Sequence, residues 1–103
     1  ARKAKPGQVA ISSVGGAVEA LVRAVSPEIA PKRLNLVSPG TIDTPMFGPN
    51  DEKRKKMVAG ATAKNLIPRA GEPDECAQAV MLVIENEFMT GTTVDVDGGW
   101  LLS

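Results

Sequence analysis

Two short runs with strand-like patterning, Leu34 to Val37 and Thr92 to Val96, lie more than fifty residues apart, and everything between them reads as helix or loop. That spacing constrains the fold more than any other feature. A hairpin joins its strands through a few residues, whereas strands this far apart with helices between them fit a right-handed parallel crossover. The chain therefore reads as α/β, in the order helix-strand-helix-helix-strand. Two parallel strands cannot cover both faces of a sheet, so the run Leu34–Val37 is left with a free edge that calls for another neighbour. The chain reads as part of a larger unit.

The helical segments follow from periodicity and punctuation. From Gln8 to Ser26 the polar positions Ser12, Gly16, Glu19, Arg23 and Ser26 recur at three- and four-residue steps. Val9, Ile11, Val14, Val18, Leu21, Val22 and Val25 fill the rest of the circumference, which predicts a helix buried on most sides. Pro27 marks its end region and Pro31 reinforces the stop. Asn50 or Asp51 is placed to cap a second helix reaching about Asn65. Its run Lys53-Arg54-Lys55-Lys56 follows Asp51-Glu52, the acids-first order that the helix dipole favours, and reads as a solvated face. Pro73-Asp74-Glu75 has the proline-first signature of a third helix start. Cys76, Ala77, Val80, Met81 and Ile84 share a face of that helix and are expected in the core, Cys76 as packing rather than as a reactive thiol.

Composition excludes several classes. The chain has 103 residues, 43% of them hydrophobic and 23% charged, with a formal net charge of zero. Disorder is not expected, and a nucleic-acid surface would need a surplus of Lys and Arg. One cysteine and no histidine leave no internal disulfide, no multi-cysteine or histidine metal site and no Ser/His/Asp triad. No apolar run is expected to reach membrane-spanning length and no signal-peptide pattern opens the chain, so the expected address is cytoplasmic, with no membrane partner. The opening ARKAKPG has no starting methionine, and Ala1 is not expected to be where translation begins.

After the first strand the chain breaks at Pro39-Gly40 and continues Thr41-Ile42-Asp43-Thr44-Pro45; much later it reads Thr90-Gly91 and Asp97-Gly98-Gly99-Trp100. With the preceding helix, these segments resemble the C-terminal half of the short-chain dehydrogenase/reductase family, from about Val9 to the end. The resemblance implies that residues 1–103 are the C-terminal part of a doubly wound, Rossmann-like dinucleotide-binding domain. It also implies an NAD- or NADP-dependent oxidoreductase acting on a small carbonyl or alcohol. Carried over by position, Pro39 and Gly40 let the backbone pass close to a nicotinamide ring. The Ile42 backbone would bond the carboxamide, and Thr44 the carboxamide or pyrophosphate. Met46 to Asn65 resembles the family's mobile helix over the substrate, and Trp100 the large residue packed after its Asp-Gly-Gly.

The same resemblance exposes a departure. The family's catalytic Tyr and Lys fall at Ile11 and Gly15, and the chain contains no tyrosine. Isoleucine has no proton to give and glycine no charge to lend, so no catalytic residue is assigned in this chain. The glycine-rich phosphate turn, the ribose-binding acid and the catalytic Ser would all precede Ala1. The fragment alone is therefore expected to be inactive, with weak dinucleotide binding or none. It is expected to form a homo-oligomer or to associate with the missing half. The alternative is a non-catalytic family member acting as a binding or oligomerisation subunit.

Overall fold

A computed structural model describes Lys3 and residues 5–103. The first helix, α1, runs Val9–Ile29 and is followed by strand β1, Leu36–Pro39. A short 3-10 turn at Pro45–Phe47 leads to α2, Glu52–Thr62, and then α3, Pro73–Glu85. Strand β2, Thr93–Val96, and a last 3-10 turn, Trp100–Leu102, complete the described residues. The strands pair in parallel, Leu36 opposite Thr93 through Pro39 opposite Val96, and α3 lies against both of them. This is the expected α/β crossover.

Each helix start has a local cause. Asp51 caps α2, its carboxylate accepting the Arg54 N–H at 3.0 Å. At α3 Pro73 occupies the first turn, and the Glu75 carboxylate reaches back to the Glu72 N–H at 2.9 Å. At its other end the Arg33 guanidinium donates to the carbonyls of Val83, Ile84, Asn86 and Met89 at 2.7–3.1 Å. A cation there satisfies carbonyls that the helix cannot and complements its dipole.

Several expected boundaries move. The strand predicted at Leu34–Val37 lies two residues later, because Leu34 and Asn35 are held by side-chain bonds. Leu34 N–H donates to Thr90 Oγ1, and the Asn35 amide bridges the Met89 carbonyl and the Thr92 N–H. The ladder starts at Leu36, whose N–H meets the Thr92 carbonyl, and extends to Gly40, whose N–H meets the Val96 carbonyl at 2.9 Å. Even-numbered residues of β1 thus face β2, and the position where Pro39 has no N–H faces the open edge, so no ladder bond is lost. The first helix passes Pro27 and ends at Ile29 rather than near Ser26. The second ends at Thr62, short of Asn65; the buried Thr62 hydroxyl bonds the Val58 carbonyl, and Asn65 turns back onto Thr62.

The buried faces also differ from expectation. On α1 the polar stripe faces the rest of the chain, with Glu19 and Val22 buried, while Val9, Ile11, Val14, Val18 and Leu21 are exposed. On α3 the inward residue is Ala79, with Cys76 half-buried, and Val80, Met81 and Ile84 point outward. Phe88 is 100% exposed. The Cα radius of gyration, 15.3 Å, exceeds the roughly 13 Å of a compact domain of this length. These faces have the composition of a core, and nothing among the described residues covers them. Contrary to expectation, α1 is long and apolar enough to cross a membrane by length and composition; the core helix of a soluble protein meets the same test.

Candidate functional site

The carboxyl end of β1 becomes a loop pinned on two sides. Gly40 lies so near the end of β2 that an added Cβ would stand 2.8 Å from Asp97 Cα. Its freedom from a side chain is therefore required toward Asp97. That turn is held in turn by the Asp97 carboxylate, which accepts the Gly99 and Leu101 N–H groups at 2.9 and 3.2 Å. Gly98 and Gly99 both have positive φ, 62° and 80°, and a Cβ on Gly99 would meet Leu66 at 2.7 Å.

On the other side, Gly71 donates to the Thr41 carbonyl and accepts the Asp43 N–H, both at 2.9 Å. These two bonds make an isolated parallel bridge between Ile42 and Gly71. In such a bridge the central residue's own N–H and C=O point the opposite way. The Ile42 backbone groups have no partner among the described residues. Thr44 precedes the 3-10 turn, but its hydroxyl makes no capping bond. Pro39 at the end of β1 and Gly40, Ile42 and Thr44 on the loop after it thus lie together at the carboxyl end of the sheet, where ligands of open α/β sheets are held. Two free backbone groups on Ile42 and an uncommitted Thr44 hydroxyl suit the amide end of a dinucleotide. Ile11, 70% exposed, and Gly15 lie one helical turn apart on α1.

Three features flank the loop. Asp43 is ion-paired with Arg54, whose Nε and Nη2 approach one carboxylate oxygen at 2.9 and 2.8 Å while Nη1 donates to the Gly48 carbonyl. Arg54 is only 11% exposed, so a residue assigned to a solvated face instead ties α2 to the loop. Arg69 grips Glu75 through two bonds, 2.8 and 3.1 Å. That hydrogen bonding, with the Glu72 N–H second, lowers the Glu75 carboxyl from 4.5 to about 2. Behind the loop a cavity of about 300 Å³ is lined by Thr41, Gly71, Arg69, Glu75 and the Val96–Gly99 turn. The spacing of Glu72 and Glu75 was a local signal for part of this; the Arg54 contact had none. Among the described residues no group of three His, Cys, Asp or Glu is placed to hold a metal ion.

Residues 1–101 match the family described as enoyl-(acyl carrier protein) reductase. The chain belongs to the short-chain dehydrogenase/reductase family. The short-chain dehydrogenase/reductase ATR9 of Stachybotrys chlorohalonatus is 41% identical over 101 residues, covering 98% of this chain and 40% of ATR9. The short-chain dehydrogenase/reductase homolog YusR of Bacillus subtilis is 33% identical over 97 residues, 94% of this chain and 70% of YusR. A small-chain dehydrogenase solved in complex with NADPH superposes with a TM-score of 0.89 at 34% identity, over 99% of this chain and 47% of that one. This short-chain dehydrogenase/reductase chain thus spans 40% of ATR9 and under half of that solved relative.

Proposed function

We propose that the chain supplies the nicotinamide end of the cofactor site and one wall of the substrate cleft in an NAD- or NADP-dependent oxidoreductase of small carbonyls or alcohols. The observation that carries this is the pair of unpartnered Ile42 backbone groups, aimed away from the Ile42–Gly71 bridge at the carboxyl end of β1. When bound, the dinucleotide supplies hydride chemistry. In this reading Ile42 holds the carboxamide and Thr44 the carboxamide or pyrophosphate, while Pro39 and Gly40 shape the backbone beside the ring. The phosphate-cradling glycines are not among the described residues, so the chain alone is expected to bind dinucleotide weakly and to be inactive. Its exposed apolar faces on α1 and α3 suit association with the remainder of the family fold or with another copy. The neutral net charge suits a small-molecule enzyme with no nucleic-acid partner.

The test is a chimera in which this chain replaces the matching part of the relative solved with NADPH. The folded chimera is expected to bind NADPH, more weakly after Thr44→Val. Its carbonyl reduction should stay low until Ile11→Tyr and Gly15→Lys are introduced together. General acid catalysis contributes on the order of 10²–10⁴ in rate, and a tyrosine without the ammonium keeps a pKa near 10. A folded chimera that does not bind NADPH would sink the cofactor reading. Ordinary turnover without the two substitutions would show that another residue supplies the proton. The second reading, a non-catalytic binding or oligomerisation subunit, is favoured by Ile11 and Gly15 themselves.

A further inference from the structure

The net charge of the chain is zero, yet the charged side chains described around one cavity are all lysines. This cavity, about 310 Å³, opens between the N-terminal segment, the residues at and after the end of α2, and the turn at Trp100. Lys3, Lys5 and Lys64 line it and no acidic side chain does. Lys3 is committed: its Nζ donates to the Trp100 and Ser103 carbonyls at 2.8 and 2.7 Å and to Ser103 Oγ at 3.0 Å. Lys3 and Lys5 stand 5.0 and 5.5 Å from the centre of the Trp100 ring, an attraction that offsets part of their mutual repulsion. Lys64 makes no hydrogen bond or ion pair among the described residues. Ammonium groups gathered around a concave wall focus a positive field into it, which an anion relieves.

Through Trp100 the cavity wall is joined in sequence to the turn against which the candidate loop packs. Trp100 directly follows Asp97-Gly98-Gly99, and Asp97 is the residue against which Gly40 packs. We infer that this cavity is an anion site, taking the carboxylate or phosphate ester of a small organic molecule through Lys5 and Lys64, and that the substrate carries such a group. The link to a substrate rests on the proposed oxidoreductase reading; the anion site itself does not.

Trp100 is the chain's one tryptophan and there is no tyrosine, so its emission reports on this cavity. The chain is titrated with butanoate and with glycerol 3-phosphate, against neutral butanamide and glycerol, at constant ionic strength and without dinucleotide. At least one anion is expected to change the emission saturably and the neutral compounds not. Lys64→Ala and Lys5→Ala are each expected to weaken binding roughly fivefold, the scale of a partly exposed charged contact, while Lys64→Arg retains it. No saturable response to either anion, an equal response to the neutral partners, or wild-type affinity in Lys64→Ala would overturn the inference. Those outcomes leave the oxidoreductase reading untouched. A chimera that fails to bind NADPH while anions still saturate Trp100 keeps the anion site and breaks its link to a substrate.

Discussion

Replacing Gly40 by alanine puts a methyl group where Asp97 already stands. The new Cβ would lie 2.8 Å from Asp97 Cα, 2.9 Å from its Cβ and 3.2 Å from its carbonyl oxygen, whereas unstrained carbon pairs rest at about 3.5–4.0 Å. Asp97 cannot simply retreat, because its carboxylate is bonded to the Gly99 and Leu101 N–H groups. The strain is therefore relieved by parting the strand ends, which stretches the 2.9 Å bond from Gly40 N–H to the Val96 carbonyl. Overpacking costs about 1–3 kcal/mol and a net hydrogen bond about 0.5–1.5, so Gly40→Ala is expected to destabilise by about 2–4 kcal/mol. Gly60→Ala is the control. Gly60 lies inside α2 with nothing within 4 Å of an added Cβ, and the change should stabilise by about 0.5–1 kcal/mol. Urea unfolding followed by Trp100 fluorescence reads both variants close to Asp97. If Gly40→Ala unfolded at the wild-type midpoint and only lost NADPH binding in the chimera, the glycine would serve cofactor clearance and the packing argument would be refuted.

The Arg69–Glu75 pair predicts a pH dependence. Its folded carboxyl lies near 2 rather than 4.5, so the stabilisation is complete above the unfolded value and is lost as pH falls from about 4.5 toward 2. Glu75→Gln should flatten helix content across that window in circular dichroism, and an unchanged slope would exclude the pair as its source. Arg33→Ala should weaken the end of α3 by about 1 kcal/mol in hydrogen exchange, and Arg33→Lys should recover less than half, because one ammonium cannot serve four carbonyls; a lysine variant equal to wild type would contradict the forked geometry. The chain alone should associate in light scattering as its concentration rises, and a well-ordered monomer over a wide range would count against the exposed faces acting as contact surfaces.

What could be read from the sequence was local. Asp51, Pro73 and Glu75 act within one helical turn of where they stand, so the starts of α2 and α3 were legible. The parallel crossover was legible because chain length between strands leaves few other connections. The start of β1 was not, since Leu34 and Asn35 are held by Thr90, Met89 and Thr92, more than fifty residues away. The inward face of α1, with Glu19 and Val22 buried, departs from its apolar pattern for a related reason. Polarity predicts which side of a helix meets a core, and the core that Val9, Ile11, Val14, Val18 and Leu21 suit is not formed by these residues. At the candidate site, Pro39-Gly40 marks in the sequence where β1 gives way to a loop, whereas the hold of Arg54 on Asp43 depends on how α2 folds back and leaves no trace in spacing.

The outward orientation of Pro39 has a consequence for how β1 meets other chains. Asn35, Val37 and Pro39 face the open edge, but only the first two offer an N–H there, so an added strand finds no donor at the carboxyl end. Stacked fibrils grow when every residue of an edge can repeat its pairing from one molecule to the next. Here the pairing register stops after two donors. The edge can accept a short native neighbour, yet it is a poor template for indefinite polymerisation at the very end where the candidate cofactor loop begins.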